Sequence, residues 1–373
     1  MRWVFVLLLI VSSSLFFVAA SSPVKDNVDS DTTTSVGQDF HFAPPLNEVT
    51  KNRIDSFFSE KYKHGKFNGT YLFFRNDSLV SGALGYSNFS TRRPNNPDDL
   101  FQLASVSKTF TGVSFLKMQQ EGLLNIRDSV HWHLPDFKRK NLTIWNLLTH
   151  SSGLPDYFNL PVPNGISPNQ HMYNEDVLKL MNSLSYKSFA SPGRYNYSNT
   201  NYVLLALIIE RKTGIGFRKY VTNVIFKPAG MLNSHICDFD SNSLKTYPVQ
   251  GYMNGKVYTD LPHNGTTGDK GVYSSVFEML KYDRALRSEL ILNSTSKELM
   301  YSPQVDTDNN GASYGLGWRM KVIDGHKWVY HNGWWKGFRT YFWRSLEENK
   351  MYCVLTNDIN DWLPTAVMVS LLN

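Results

Sequence analysis

Segments that predict β-strands lie near both ends of this chain of 373 residues, and a helical middle separates them. Two strands with a polar turn between them are predicted near the amino end, at 70–74 and 79–86. Near the carboxyl end, strand-like patterns occur at 314–322, 326–330, 338–344 and 351–355. The economical arrangement is one antiparallel sheet built from both ends, with the middle of the chain packed beside it as a lobe.

Helical patterns complete this arrangement. Apolar residues at helical spacing predict a helix that opens the domain at 46–62, a second at 101–122 that stops at Gly122, and a closing helix at 363–372. The mainly helical lobe occupies about 125–219. We therefore expect an α+β fold, with an antiparallel sheet flanked by helices, an inserted helical lobe, and an active site in the cleft between them.

The first 45 residues differ in composition from the rest. Residues 1–20 combine Arg2, an apolar run and the small residues Val18-Ala19-Ala20, which together predict a secretory signal peptide. The short, serine-interrupted run argues against a permanent membrane span. Residues 21–45, rich in Ser, Thr and Asp, predict a flexible tether before a folded domain at 46–373. We expect an exported protein, periplasmic or secreted, with no integral membrane segment after cleavage; an uncleaved signal that tethers the protein is the alternative.

Composition excludes several classes of protein. Hydrophobic residues make up 42% of the chain, enough for a sizeable core. The formal net charge of +6 is dispersed, so nucleic-acid binding is not expected, while a polyanionic envelope is a compatible surrounding. Two cysteines, Cys237 and Cys353, are too few for a disulfide framework or a thiolate metal site. A bridge between them stays open, and two buried free thiols are the favoured interpretation.

The pattern Ser-x-x-Lys occurs four times, at Ser22/Lys25, Ser105/Lys108, Ser114/Lys117 and Ser294/Lys297. On a helix this spacing places an ammonium beside a hydroxyl, so a serine nucleophile and its proton acceptor share one face. Ser105 differs because it follows an apolar segment and is expected at the start of a helix, where backbone amides favour an anion. By itself the pattern also fits a helix cap with a surface lysine.

The pattern Tyr-x-Asn is the second candidate, and its matches include those that begin at Tyr86, Tyr157, Tyr197 and Tyr252. Tyr197-Ser198-Asn199 lies on a loop just before a buried helix. A phenol whose proton is loosened by nearby cations can take a proton from serine and return it to a leaving group. A loop tyrosine packed for its bulk is the alternative. Asn196 begins one of seven glycosylation sequons, and a glycan there would crowd Tyr197, which favours bacterial export.

A third element should be a strand that lines the cleft and donates backbone amides. Lys212-Thr213-Gly214 is rejected because it ends a helical pattern, where Gly214 is a stop signal. His263-Asn264-Gly265 lies in a predicted loop. His331-Asn332-Gly333 interrupts strand-like sequence, so a strand edge can present both an imidazole and an amide to a substrate. A structural strand histidine is the simpler alternative.

The order and flanks of these three clusters resemble the serine β-lactamase and penicillin-binding-protein-like family. The resemblance is to its class C β-lactamase, D,D-carboxypeptidase, D-aminopeptidase and esterase branch, and it covers about 69–357. It includes Asn-Leu-Leu-Thr-His-Ser-Ser-Gly-Leu-Pro at 146–155, Gly-Val-Tyr-Ser-Ser at 271–275 and Tyr-Gly-Leu-Gly-Trp at 314–318. The resemblance implies a serine hydrolase without a metal or organic cofactor.

The resemblance also implies catalytic roles for three residues. Ser105 would be the acylated nucleophile, Lys108 would help to take its proton, and Tyr197 would act as base and then as acid.

Four further residues would bind the substrate. Asn199 would orient the substrate amide, and His331 would line the third wall of the cleft. Gly333 would let the substrate approach the strand, while the backbone amide of Trp334 would complete an oxyanion hole with that of Ser105.

We expect an exported serine hydrolase that opens an amide or ester bond through an acyl-enzyme on Ser105. Its substrate would be a D-amino-acid peptide, a muropeptide derived from the cell wall, or a small ester. A class C-like β-lactamase and a catalytically inactive binding module of the same fold are the alternatives. His331 stands where lactamases carry lysine, and Trp334-Trp335 stand where the family has small residues, so substrate choice is expected to depart from the lactamases there.

Other catalytic arrangements are not supported by the sequence. A Gly-x-Ser-x-Gly sequence occurs at 311–315, but a strand-like pattern and not a helix follows it, so a nucleophile elbow is not supported. His131 and His133 lack a clear third metal ligand nearby, so surface or loop positions are favoured. His150, Ser152 and Asp156 are residue types of a catalytic triad without triad spacing, and a loop-stabilising role is expected.

Overall fold

The computed structural model describes residues 40, 43–163, 165–167, 170–185, 189–237, 248–258, 262–307 and 311–373. The predicted signal peptide at 1–20 and nearly all of the predicted tether at 21–45 lie outside the described residues. Near the start of these ranges, Pro45 forms a parallel bridge with Leu79. Within them, no helix has the length and apolar character needed to cross a membrane.

Long strands lie near both ends of the described chain, and helices occupy much of its middle. In chain order, the strands are β1 Gly69–Arg75, β2 Ser78–Leu84, β3 Tyr86–Asn88, β4 Arg93–Pro94, β5 Phe101–Gln102, β6 His235–Ile236, β7 Tyr252–Met253, β8 Lys256–Val257, β9 Val272–Ser274, β10 Val305–Asp306, β11 Ser313–Tyr314, β12 Arg319–Ile323, β13 His326–Trp335, β14 Phe338–Ser345 and β15 Lys350–Thr356. The α-helices are α1 Glu48–Lys63, α2 Ser107–Gln120, α3 Val130–His133, α4 Ile144–Leu148, α5 Asn174–Ser183, α6 Asn199–Thr213, α7 Phe217–Val221, α8 Val276–Arg287, α9 Ser294–Met300 and α10 Thr365–Ser370.

The main sheet has the strand order β10-β11-β12-β13-β14-β15-β1-β2, and all its pairs are antiparallel. The amino-terminal hairpin joins the carboxyl-terminal strands through β1 and β15, where Tyr71 lies opposite Val354. The prediction of one antiparallel sheet built from both ends of the chain, with helices against it, is therefore confirmed. A small second sheet has the order β5-β9-β6 and lies next to the segment that carries Ser105.

Both faces of the main sheet are covered, and side chains alternate between the two cores. On β1, Leu72 and Phe74 belong to the core shared with α2, α6 and α8, whereas Tyr71 and Phe73 belong to the core under α1 and α10. Phe58 of α1 stacks on Tyr71 with ring centres 4.1 Å apart. Burying an aromatic side chain of this size stabilises the fold by roughly 1.5–3 kcal/mol. Alternation with both faces buried explains why β1 is apolar almost throughout.

The helix predicted at 101–122 begins later than expected, so the predicted start at 101 is wrong. Phe101 and Gln102 instead form strand β5, which pairs with Ser274 and Tyr273 of β9. These partners lie far away in the sequence, so the local pattern does not reveal the pairing. Ala104 then has a φ of +50°, which is incompatible with a helix that runs through it. The α-helix starts at Ser107, and Ser105 lies in the 3-10 turn Ala104–Val106 that leads directly into it, so Ser105 is at the start of the helix as expected.

The strand predicted at 314–322 is broken between Tyr314 and Arg319. Gly317 has a φ of +88°, and a Cβ at that position would lie 3.0 Å from the backbone oxygen of Lys108. A Cβ at Gly112 of α2 would lie 2.4 Å from Leu316 O. The two glycines therefore allow the loop to pack directly on the helix that carries Lys108.

Candidate active site

Ser105 lies in the single 3-10 turn Ala104–Val106, between β5 and α2. The left-handed conformation of Ala104 immediately before it is rare for a residue with a side chain. This turn packs directly on β13, since a Cβ at Gly333 would lie 2.3 Å from Leu103 O and 2.9 Å from Ala104 Cβ. Gly333 was predicted to let the substrate approach the strand. The packing gives a second reason for a glycine at this position, because a larger residue would push the Ser105 turn away from β13.

Lys108 lies one turn further along, on α2, with no exposed surface. Its Nζ is 3.1 Å from Ser105 Oγ, 2.7 Å from Asn199 Oδ1 and 2.8 Å from the backbone oxygen of Asp269. Burial lowers the pKa of Lys108 to about 8, although the Asp269 carboxylate opposes this shift. Neutral amine is therefore available near neutral pH, beside the serine hydroxyl.

Tyr197 reaches Ser105 from the loop before α6. Its hydroxyl donates to Ser105 Oγ at 3.0 Å, and Lys108 Nζ lies 5.0 Å from its ring centre. Burial raises the pKa of Tyr197, and this effect outweighs the Ser105 hydrogen bond and the Arg319 charge, which both lower it. The Arg319 cation thus lowers the pKa of Tyr197 as expected, but burial has the larger effect, and Tyr197 is a neutral donor in the resting site.

His150 supports Tyr197 from behind, with ring centres 4.2 Å apart. Its Nδ1 accepts from the backbone N–H of Ser198 at 3.2 Å and lies 3.2 Å from Asn201 Nδ2. Burial drives the pKa of His150 well below its ordinary value, so the ring is neutral. Ser152 donates to Asn201 Oδ1 at 2.6 Å and not to His150. These residues stabilise the loop, as predicted, and do not form a serine–histidine pair.

Asn199 begins α6 and connects Lys108 to the lobe. Its Nδ2 donates to Asp156 Oδ2 at 2.8 Å, and its backbone N–H donates to the same oxygen at 3.2 Å. A carboxylate only accepts, so this contact fixes the amide with its Oδ1 toward Lys108. Asp156 also accepts from the backbone N–H of Phe158 at the start of the next turn. The lobe thus orients the amide through Asp156.

His331 lies inside β13, which continues through it without a break, so the expectation that this cluster interrupts a strand is wrong. The ring is 1% exposed. Its Nδ1 is 2.7 Å from the carbonyl oxygen of Asn332, so Nδ1 carries the hydrogen, and Nε2 accepts from the Tyr314 hydroxyl at 3.2 Å. Burial and the Arg319 charge hold the pKa of His331 well below its ordinary value. The imidazole is neutral and offers no charge to a substrate carboxylate.

Among the strands of the described residues, none pairs with one edge of the carboxyl-terminal half of β13, and we call this its free edge. Strand β12 pairs with β13 only as far as Tyr330, whereas β14 pairs along it to Trp335. The residues between these limits, 331–335, line the cleft. The backbone groups of this edge can therefore pair with an extended ligand, and substrate binding at this edge stays a prediction.

Trp334 and Trp335 have different surroundings although they are neighbours. Trp334 is 66% exposed at the rim of the cleft. Trp335 stacks on Phe158 with ring centres 4.5 Å apart, and its Nε1 donates to Asn264 Oδ1 at 2.9 Å. The second indole thus joins β13 to two turns across the cleft and forms an end wall. The bulky pair reshapes the cleft at one end and leaves its rim open.

Arg319 was not predicted from the sequence. Its guanidinium carbon lies 5.4 Å from the ring centre of Tyr197, 5.9 Å from that of Tyr195 and 5.6 Å from that of Tyr314. It lines the cleft, and none of the ion pairs within the described ranges includes it. The available signal was its position directly after the Gly-Leu-Gly-Trp segment at 315–318.

Asp269 and Lys270 were also missed. Both side chains are buried beside the cleft, and Lys270 Nζ is 3.3 Å from Asp269 Oδ2. Two adjacent charges directly before the apolar strand β9 were the signal, because such charges are seldom buried without a specific partner.

The predicted site residues meet in one cleft of about 720 Å³. Its lining includes Ser105, Tyr197, Asn199, His331, Gly333 and Trp334, together with Arg319 and Lys270. Lys108 contacts Ser105 from the buried side. The rejected Lys-Thr-Gly sequence ends α6, where Gly214 has a φ of +68°, as predicted. Cys237 and Cys353 are separate buried thiols, as favoured, and Ser22/Lys25 lies outside the described residues.

Comparison with known proteins agrees with this geometry. Residues 54–361 match the family described as Beta-lactamase. Penicillin-binding protein 4* of Bacillus subtilis is 30% identical over 85% of this chain and 74% of its own length. D-aminopeptidase of Brucella anthropi is 28% identical over 72% of this chain and 52% of its own, so this chain spans about half of that relative.

Solved structures show the same fold. A penicillin-binding protein from Bacillus halodurans shares 28% identity with a TM-score of 0.72, over 84% of this chain and 97% of the other. D-amino acid amidase from Ochrobactrum anthropi shares 21% identity with a TM-score of 0.73, over 83% and 92% of the two chains, a likeness of fold alone. The chain therefore belongs to the beta-lactamase family, and it is an enzyme of the penicillin-binding-protein-like serine hydrolases in that family.

Proposed function

We propose that this protein is an exported hydrolase that opens an amide or ester bond by acylation of Ser105. Lys108 takes the serine proton, and Tyr197 gives a proton to the leaving group. Asn199 and the free edge of β13, including the backbone amide of Trp334, hold the substrate. Its substrate is a D-amino-acid peptide, a muropeptide or a small ester.

The hydrogen bonds of Lys108 support this assignment most directly. Asn199 Oδ1 and the carbonyl of Asp269 can only accept, so they take two N–H groups of the amine. A neutral amine has only these two hydrogens. Its lone pair is therefore left to accept the proton of the third neighbour, the Ser105 hydroxyl, whose Oγ is 3.1 Å away. A buried amine held in this way is a proton acceptor aimed at a nucleophile.

The acylation step balances with these groups. Ser105 Oγ forms a bond to the substrate carbonyl carbon while its proton moves to Lys108 Nζ. As the bond to the leaving nitrogen or oxygen breaks, the leaving group takes the proton of the Tyr197 hydroxyl. The Lys108 ammonium then returns a proton to the tyrosinate, and water repeats the sequence in reverse to release the acid.

Charge in the cleft supports a substrate that carries a carboxylate. His331 is neutral, whereas Arg319 presents a permanent cation in the same cleft, beside Tyr197. A guanidinium pairs well with a carboxylate, and it replaces the charge that His331 lacks. D-peptides with a free carboxyl end fit this arrangement. One relative is named a D-aminopeptidase, and this is consistent with D-amino-acid chemistry in the cleft.

A substrate panel combined with intact-mass analysis tests the proposal. Wild type and Ser105→Ala are incubated with a fluorophosphonate, a penicillin, D-alanyl peptides and small esters, and Ser114→Ala serves as the matched control. We expect one covalent adduct on wild type and on Ser114→Ala, none on Ser105→Ala, and faster turnover of D-peptide or ester than of penicillin. Dominant penicillin turnover would establish a β-lactamase instead, and a wild type without adduct or turnover would establish a binding module.

A further inference from the structure

Lys270 is a buried lysine in the wall of the cleft, 3% exposed. Its Nζ donates to the Tyr157 hydroxyl at 2.7 Å, to Asp269 Oδ2 at 3.3 Å and to Thr266 Oγ1. The faces of Tyr157, Phe158 and Trp335 lie 5.0–5.5 Å from it. All three hydrogens of the ammonium are thus used inside the protein, so Lys270 is not placed to bind a substrate directly.

Asp269 connects Lys270 to the proposed proton acceptor. Its carboxylate faces Lys270 and accepts from Tyr157 at 2.9 Å, while its backbone carbonyl accepts from Lys108 at 2.8 Å. The two lysines are therefore bound to opposite ends of one fully buried residue. A change at Lys270 must act on Lys108 through the position and the charge of Asp269.

We propose that Lys270 is a positioning residue for Lys108: paired with Asp269, it fixes the carbonyl that accepts from Lys108 and cancels the carboxylate charge that would otherwise keep Lys108 protonated. This inference rests on the proposed function, because it concerns the amine that takes the Ser105 proton.

The charges around Lys108 have the signs that the proposed role of Lys270 requires. The charges that act on Lys108 include the carboxylates of Asp269 and Asp156, which favour its protonated form, and the cations of Arg319 and Lys270, which disfavour it. His150 and His331 are neutral, as are Tyr197 and Tyr202, whose pKa values burial raises. Burial lowers the pKa of Lys270, and Asp269 opposes that shift. Lys270 thus offsets the carboxylate of Asp269, which has the larger effect of the two on Lys108.

The test measures the rate of Ser105 acylation by a fluorophosphonate across pH in the full chain. For Lys270→Met we expect the midpoint of the rise in rate to move up by about one pH unit or more, because Asp269 is left uncompensated. For Asp269→Asn the midpoint should move down, since Lys270 then repels the Lys108 ammonium. For the double variant it should return to within about half a unit of wild type. Thermal unfolding verifies that each variant is folded.

The order of the three midpoints decides the proposal. A purely structural role would lower the plateau rate in all variants and leave the midpoint where it is in wild type, and this result would overturn the inference. If Lys270→Met does not fold, Asp269→Asn and the double variant still give an order, because the double variant buries no unpaired charge. Loss of label in Ser105→Ala tests the nucleophile independently, so failure of the proposed function is distinguishable from failure of this inference.

Discussion

Two Ser-x-x-Lys pairs lie within the same stretch of chain, and only one of them is part of the cleft. Ser105 and Lys108 are in contact at 3.1 Å. Ser114 donates instead to the backbone oxygen of Phe110 at 2.8 Å, in the preceding turn of the same helix. Lys117 forms an ion pair with Glu121 at 3.1 Å, one turn further along. The same spacing therefore leads to two different surroundings.

The difference lies in where the partners come from. The partners of the second pair are four residues away, on α2 or at its end, so the helix alone provides them. Lys108 donates hydrogen bonds to Asn199 and Asp269, which are 91 and 161 residues away in the sequence. Ser105 accepts a hydrogen bond from Tyr197, which is 92 residues away. Segments from distant parts of the chain bury Lys108, and this burial lowers its pKa. The Ser-x-x-Lys spacing indicates candidate catalytic pairs, and the tertiary contacts determine which candidate lies in the cleft.

The largest expected difference is between the two serines. Ser105→Ala should lower kcat/KM for an ester or D-peptide substrate by at least about 1,000-fold, because the nucleophile is gone. Ser114→Ala removes one hydrogen bond to the backbone and should stay within about threefold of wild type. Steady-state kinetics on both variants measure this, and equal losses would abolish the distinction.

The two lysines should differ next. Lys108→Met removes the proton acceptor and should lower kcat by about 100-fold or more, while thermal unfolding verifies that the variant is folded. Lys117→Met removes an ion pair that is partly exposed to solvent, and no loss of activity is expected. A comparable fall in kcat for Lys117→Met would show that the helix, and not the cleft contacts, carries the effect.

The pH dependence sharpens the comparison, because Lys108 has a pKa lowered to about 8 by burial. Acylation needs the neutral amine, so its rate should rise with pH through about 8 and fall about tenfold for each unit below it. Stopped incubations with a fluorophosphonate between pH 5 and 9 give this curve for wild type and Lys117→Met. The two curves should coincide, and a rate that is flat over this range would exclude Lys108 as the acceptor.

The smallest difference concerns the carboxylates behind each pair. Asp156 orients Asn199, so Asp156→Ala should lower kcat/KM by about tenfold or less. It should also move the midpoint of the acylation curve to lower pH, because Asp156 favours the protonated form of Lys108. Glu121→Ala at the second pair should change neither value. A midpoint that stays fixed in Asp156→Ala would reduce Asp156 to a structural contact.

Elements with a local cause could be predicted from the sequence. The opening helix, the hairpin of β1 and β2, and the end of α6 at Gly214 follow from periodicity, turn residues and a left-handed stop. Elements that depend on distant contacts could not. Phe101 is a strand because β9 pairs with it, and the chain between Tyr314 and Arg319 is a loop because α2 approaches it closely.

The same limit applies to the site. Ser105, Lys108 and Tyr197 have short, recognisable patterns around them, and the structure brings them into contact. Arg319 and the Asp269–Lys270 pair have no pattern of spacing to the nucleophile. Arg319 of β12 lies against Tyr197 on the loop before α6, and the loop before β9 contacts Lys108 of α2. A single sequence does not contain that geometry.

Peptide mapping of the labelled protein tests the central claim most directly. Trypsin cuts after Lys108, so the two serines fall into different peptides, 93–108 and 109–117. After reaction of the wild type with a fluorophosphonate, tandem mass spectrometry should place the adduct on Ser105 within the first peptide and leave the second unmodified. An adduct on Ser114, or on Ser107 instead of Ser105, would contradict the assignment of Ser105 as the nucleophile.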